Sequence, residues 1–198
     1  MTMKLTRNGM ACLISVAILC NGCSWKDVRS ELPDATQEGK GTFGCKVDGR
    51  VFVPRSSLTM PGIRFSYDPT WNGGTLSIKA KYWFRDSKDI NIATIENVSI
   101  SLGRVSKPGR YFFNNADSLA LADYTIRTQN EKEAIKTIRH CYFDISDTRS
   151  GILNITKLDR NKGILAGTFE FTLTRSNPLT NCNSVVKITE GRFDLLSR

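Results

Sequence analysis

A single histidine, His140, serves all 198 residues of the chain. Any Ser-His or Cys-His mechanism must therefore use that one imidazole. On a strand its neighbour Cys141 would point to the opposite face, so the two make no local dyad. Beyond the first residues there is no C-x-x-C and no H-x-x-x-H spacing, which leaves a zinc site without a ligand set. No nucleotide-binding loop occurs, and "DISDTRSG" lacks the alternating oxygen ligands and terminal Glu of an EF-hand. No cofactor and no metal is therefore expected. The basic residues are scattered without runs or a recognisable nucleic-acid module, which favours a solvated surface over nucleic-acid binding. With 19 acidic residues available, pairs such as Asp144 with Asp147, Glu170 with Asp194 and Asp86 with Asp89 are formally open to a glycosidase. Any chain so composed offers such pairs, so a glycan hydrolase is the remotest reading.

Long apolar runs are also scarce. "ACLISVAIL" follows Lys4 and Arg7 and ends at Cys20 and Asn21, well short of the roughly 20 residues that span a bilayer. A charged n-region followed by a short h-region is a secretion leader. In "LCNGCSWKD" the small Gly22 stands directly before Cys23, whereas the bulky Leu19 precedes Cys20, so the better cleavage and acylation site is Cys23. The segment resembles a bacterial lipoprotein signal, with residues 1–22 as signal peptide. That resemblance implies a lipid on Cys23, two or three acyl chains in the bilayer, and, with Ser24 next, outer-membrane sorting on the periplasmic side or the cell surface.

Residues 24–41 are polar, without apolar period, and read with Cys23 as a lipid anchor and flexible tether over 23–41. Fully stretched they would reach ~60 Å. Residues 42–198 suit one domain. Removing Lys4 and Arg7 with the leader lowers the formal charge from +9 to about +7, a bias towards anionic surfaces and acidic partners.

Within the domain, short alternating segments are punctuated by turns. In "TLSIKAKYWF" Leu76, Ile78, Ala80 and Tyr82 share one face while Ser77, Lys79, Lys81 and Trp83 share the other. "TFGCKVDGRVFV" carries Asp48-Gly49, a type I′ hairpin signal between two apolar arms. Similar strands are predicted in "INIATIENVSISL", "DYTIRT", "RHCYFDIS", "GILNITKLD", "GILAGTFEFTL" and "SVVKITEGRFDLL", and only "NEKEAIKT" suits a helical turn. About ten short strands predict an all-β domain, an antiparallel β-sandwich or barrel. Gly167 and Gly191, set among alternating Phe and Leu, mark bulges or close backbone approaches.

Three of these stretches, "TFGCKVDGRVFVP", "GILNITKLDRNKGILAGTFEFTL" and "VVKITEGRFDLL", are similar to an uncharacterised lipoprotein family of the Bacteroidota, a domain of unknown function. The resemblance spans residues 42–196. It implies an all-β, membrane-anchored domain and no particular activity.

Apart from Cys23, the domain keeps Cys45, Cys141 and Cys182, an odd set that allows one internal bridge in an oxidising compartment. Cys45 shares a face with Phe43 and Val47 and reads as a buried hydrophobe. Cys182 lies in the polar turn "SNPLTNCNS", and a Cys141–Cys182 disulfide is expected. The side chains best suited to bind a partner are Phe65, Tyr67 and Trp71 in "PGIRFSYDPTWNGG", a segment broken by Gly and Pro and read as a loop, with Trp83 as a further ring on the same platform. Two functions stay open: an envelope-anchored, non-catalytic binding or adhesion module for a glycan or protein partner, and a barrel carrying a small apolar ligand. A hollow interior lined by Phe would favour the second.

Overall fold

The hairpin at Asp48-Gly49 forms as its sequence dictates: both residues have positive φ, 49° and 82°, the conformation a two-residue I′ turn requires. It joins β1 (Thr42–Val47) to β2 (Arg50–Phe52). The computed structural model describes residues 31–56, 61–133, 136–143, 146–177 and 179–197. The expected signal peptide, the expected acylation site Cys23 and Asp144 lie outside these residues. The chain continues through β3 (Ile63–Asp68), β4 (Thr75–Arg85), β5 (Ile92–Leu102), β6 (Gly109–Phe113), β7 (Ala120–Asn130), β8 (Lys136–Cys141), β9 (Thr148–Asp159), β10 (Ile164–Thr174) and β11 (Val185–Leu196).

All pairings are antiparallel, and they build two sheets. One has the order β2-β1-β11-β10-β9-β6 and the other β3-β4-β5-β7-β8. They pack face to face without closing into a barrel. Sequence alternation decides which side is dry: Leu76, Ile78, Ala80 and Tyr82 are buried as the period predicts, and so are Phe169, Phe171 and Leu173. Phe52 of the first sheet meets Tyr82 of the second with ring centroids 6.3 Å apart. Phe43 lies 5.2 Å from Phe169, and Phe113 5.6 Å from Phe171. These rings fill the interior, so the hollow, Phe-lined barrel is not what the chain builds.

The glycines of the C-terminal strands make this packing fit. Phe169 pairs with Gly191, Phe193 with Gly167, and both Phe113 and Phe171 with Gly151. A Cβ on Gly191 would sit 2.5 Å from the Phe169 ring, and one on Gly167 2.4 Å from the Asn154 carbonyl oxygen. Each phenylalanine thus lies over a neighbour without a side chain, an arrangement that repairs the weakness of glycine in a strand. Bulges accompany both sites. The β9–β10 register slips between Ala166 and Gly167, and that of β10–β11 slips opposite Glu190, whose φ is 51°.

Four expectations change. The stretch read as a loop contains β3, an edge strand paired to β4, followed by a 3₁₀ turn over Trp71–Gly73. The two prolines and three glycines of that stretch sit outside the strand or before its first residue, which is how the strand escapes them. The helical turn expected at "NEKEAIKT" is absent from its described part, because Lys136 already begins β8. A further strand, β6, joins those predicted from sequence; its five residues are too short to show a period. Finally, residues 36–40, read from sequence as the end of a flexible tether, are docked on the domain. Thr36 Oγ1 and the backbone N–H groups of Glu38, Gly39 and Lys40 donate to the Asp194 carboxylate at 2.6–3.2 Å. Asp194 points out of the sheet as its alternation with Phe193 requires, yet it is wholly buried under this clasp.

Candidate functional site

The structure separates the aromatic residues singled out from sequence. Phe65 pairs with Ile78 and Tyr67 with Leu76, so both project from the inner face of their sheet and pack against the core. Trp83 belongs to the alternate set on β4 and faces the other way, with the Arg85 guanidinium 5.1 Å from its ring. It also stands eight residues along β4 from Thr75, or ~26 Å at ~3.3 Å per residue, whereas Trp71 is bound to Thr75 by a 2.9 Å hydrogen bond. Trp83 therefore cannot extend a platform with the other rings. Trp71 is 65 % exposed at the tip of the turn after β3. Asp68 builds that turn by accepting from Thr70 Oγ1 at 2.7 Å and Thr70 N at 2.8 Å. These bonds hold its carboxyl below the ordinary range.

Phe65 and Tyr67 do form part of a site, at one end of the sandwich. Between β3 and the β9–β10 turn lies a cleft of about 340 Å³ walled by Phe65, Tyr67, Leu158 and Ile164, with Arg160 and Lys162 at its rim. The turn is set by Gly163, at φ 67°, and by Asp159 Oδ1, which accepts the Lys162 N–H at 3.0 Å. Tyr67 Oη donates to the Val105 carbonyl at 2.7 Å and accepts from Arg160 Nη2 at 3.1 Å. The guanidinium lies 5.8 Å from the Tyr67 ring and also donates to the Ser106 carbonyl at 3.0 Å. These bonds fix one aromatic wall and one cation relative to each other. Sequence reasoning found the aromatic half of the site and missed the basic half. "DRNKG" between two strands carries only a turn signal, and its proximity to β3 depends on how the sheets pack.

Three of the carboxylates considered for catalysis, Asp86, Asp89 and Asp194, are engaged in local structure. Asp86 Oδ1 accepts the Lys88 N–H at 2.7 Å and Asp89 Oδ1 the Asn91 N–H at 2.9 Å, so both build the β4–β5 turn. Burial acts to raise the pKa of Asp194, but the bonds from Thr36, Glu38, Gly39 and Lys40 outweigh it and the carboxyl is held below its ordinary range. His140 is exposed on β8, an edge strand, with its ring 5.1 Å from that of Tyr142. Among the described residues no three of His, Cys, Asp and Glu gather as a metal would need. Cys141 and Cys182 are bridged, with Cα atoms 5.6 Å apart. Cys182 lies in the β10–β11 loop, so the bridge ties one sheet to the edge of the other. Cys45 is unbridged and inaccessible. Burial pushes its thiol up to about 12, against the pull of Arg50 and with a further push from Glu96, which leaves it unreactive.

Comparison with known family models, curated proteins and solved structures finds no match to this chain.

Proposed function

We propose that the protein is an outer-membrane lipoprotein, held by an acylated Cys23, whose sandwich is a non-catalytic module that binds acidic glycan through the cleft between β3 and the β9–β10 turn. The observation that carries this reading is the composition of the cleft: an apolar wall containing two aromatic rings, two cations, and a single carboxylate, Asp159, whose Oδ1 already accepts the Lys162 N–H within the turn. A sugar ring presents a C–H face that packs on aromatic carbon, and a uronic carboxylate or sulfate gives Arg160 and Lys162 a partner. The net positive charge of the chain favours encounter with such a polymer. Each aromatic contact adds ~0.5–1.5 kcal/mol beyond area burial. One cleft therefore gives modest affinity, which many copies on one membrane raise by avidity.

Two experiments test the reading. In a screen of the full chain in detergent against acidic and neutral glycans, acidic chains should bind and the double variant Arg160→Glu/Lys162→Glu should not. Retention by neutral chains alone would move the site elsewhere, and hydrolysis of a screened glycan would overturn the non-catalytic reading. Metabolic labelling with palmitate should mark the protein, and Cys23→Ser should abolish the label. Loss of label in Cys20→Ser instead would assign the anchor to the other cysteine.

A further inference from the structure

At the far side of the domain, beside the Cys141–Cys182 bridge, lies a second pocket, of about 240 Å³. Three arginines line it: Arg50 from β2, Arg139 from β8 and Arg175 just after β10. Three acids near them among the described residues, Asp48, Glu96 and Asp147, already have donors, with Asp147 Oδ1 accepting the Ser176 N–H at 2.7 Å. Asp48 accepts from Lys187 N at 2.8 Å and from Asn183 Nδ2 at 3.3 Å, and Glu96, almost fully buried, takes Arg50 Nη2 at 2.7 Å. Arg175 is the group left over. It is only 7 % exposed, its Nη1 donates to the Tyr142 carbonyl, and the Phe143 ring covers the guanidinium at 4.5 Å. Among the described residues its Nε and Nη2 have no hydrogen-bond partner.

Nε and Nη2 form the side-on edge of a guanidinium, the two parallel donors that match the two oxygens of a carboxylate, sulfate or phosphate. A buried cation with that edge unsatisfied is unfavourable unless an acceptor arrives. Arg139, which lines the same pocket and has no ion pair among the described residues, points its Nε at the Cys141 sulfur, 3.2 Å away and a weak acceptor. We propose that this pocket is a binding site for a small oxyanion, a carboxylate or a sulfate or phosphate group, taken by Arg175 and Arg139. Any apolar part of the ligand lies against Phe143, Ile126 and Val186. The site is independent of the glycan cleft, which uses neither arginine.

The test is thermal unfolding of the full chain in detergent, titrated with sodium phosphate, sodium sulfate, sodium acetate and, at matched ionic strength, sodium chloride. A ligand that binds only the folded state raises the midpoint in a saturable way. At least one oxyanion should do so while chloride does not, and the arm that responds names the oxyanion class. Arg139→Gln, at a half-buried position, should weaken the response at least tenfold in concentration, and Arg175→Gln should abolish it. Arg160→Gln, in the other cleft, should leave it unchanged. Because Arg175→Gln could fail to fold, Arg139→Gln decides the matter alone. Equal responses to all four salts, or an oxyanion response that survives Arg139→Gln unaltered, overturns the proposal.

Discussion

Gly167 illustrates how much of this domain rests on single atoms. Its place in "GILAGTFEF" marks it in the sequence as a bulge or a close approach, and the structure has both, with the Asn154 carbonyl and the Phe193 ring occupying the space of a side chain. The carbonyl belongs to the ladder and cannot move aside, so Gly167→Ala should destabilise the domain by about 1–3 kcal/mol, the range for an overfilled core. Urea unfolding monitored by tryptophan fluorescence checks this. A midpoint equal to that of the wild type would mean that β9 yields more readily than its pairing implies. Residues of this kind are legible because alternation and glycine are local signals. Asp194 is legible only in part: its outward direction follows from Phe193 and Leu195, but its burial depends on residues more than 150 positions away.

The clasp formed by residues 36–40 is an element without secondary structure, which is why polarity alone suggests a tether. Its backbone N–H groups find in Asp194 the acceptor that a strand partner would otherwise supply. The carboxyl titrates lower folded than unfolded, so its contribution is complete above its ordinary pKa near 3.8 and is lost as pH falls through the lower folded value. Asp194→Asn should therefore cost about 1–3 kcal/mol at pH 7, the range for stranded buried donors. The gap from wild type should shrink on acidification below about pH 4. Denaturant titrations at pH 7 and pH 3 measure both, and a gap as large at pH 3 as at pH 7 would show that the charge of Asp194 is not what holds the clasp. Strand β3 teaches the converse. Its alternation of Ile63, Phe65 and Tyr67 with Arg64, Ser66 and Asp68 was available to read, but the flanking Pro and Gly residues dominate a local reading. The pairing to β4 that decides the matter is a tertiary fact.

At the scale of the molecule, the strands from β4 onward follow mostly from period and turns, whereas their assignment to two sheets does not. The chain crosses between sheets after β2, β5, β6 and β8, and no local signal marks those crossings. The cleft inherits that limit, since β3 belongs to one sheet and the β9–β10 turn to the other. Half of the site was readable as aromatic residues, and the cations that complete it became neighbours only through packing. The bridge between Cys141 and Cys182, 41 residues apart, joins those same sheets. In the chain-entropy account it contributes on the order of 4 kcal/mol, so the protein should be handled oxidised in binding work. The most direct measurement is a calorimetric titration of the full chain with an oligosaccharide of alternating uronic acid and N-acetylhexosamine units, run on the wild type, Lys162→Glu and Trp83→Ala. Saturable binding by the wild type, unchanged in Trp83→Ala and at least tenfold weaker in Lys162→Glu, is the predicted result. Binding that is lost in Trp83→Ala but kept in Lys162→Glu would contradict the account and place recognition on the outer face of β4.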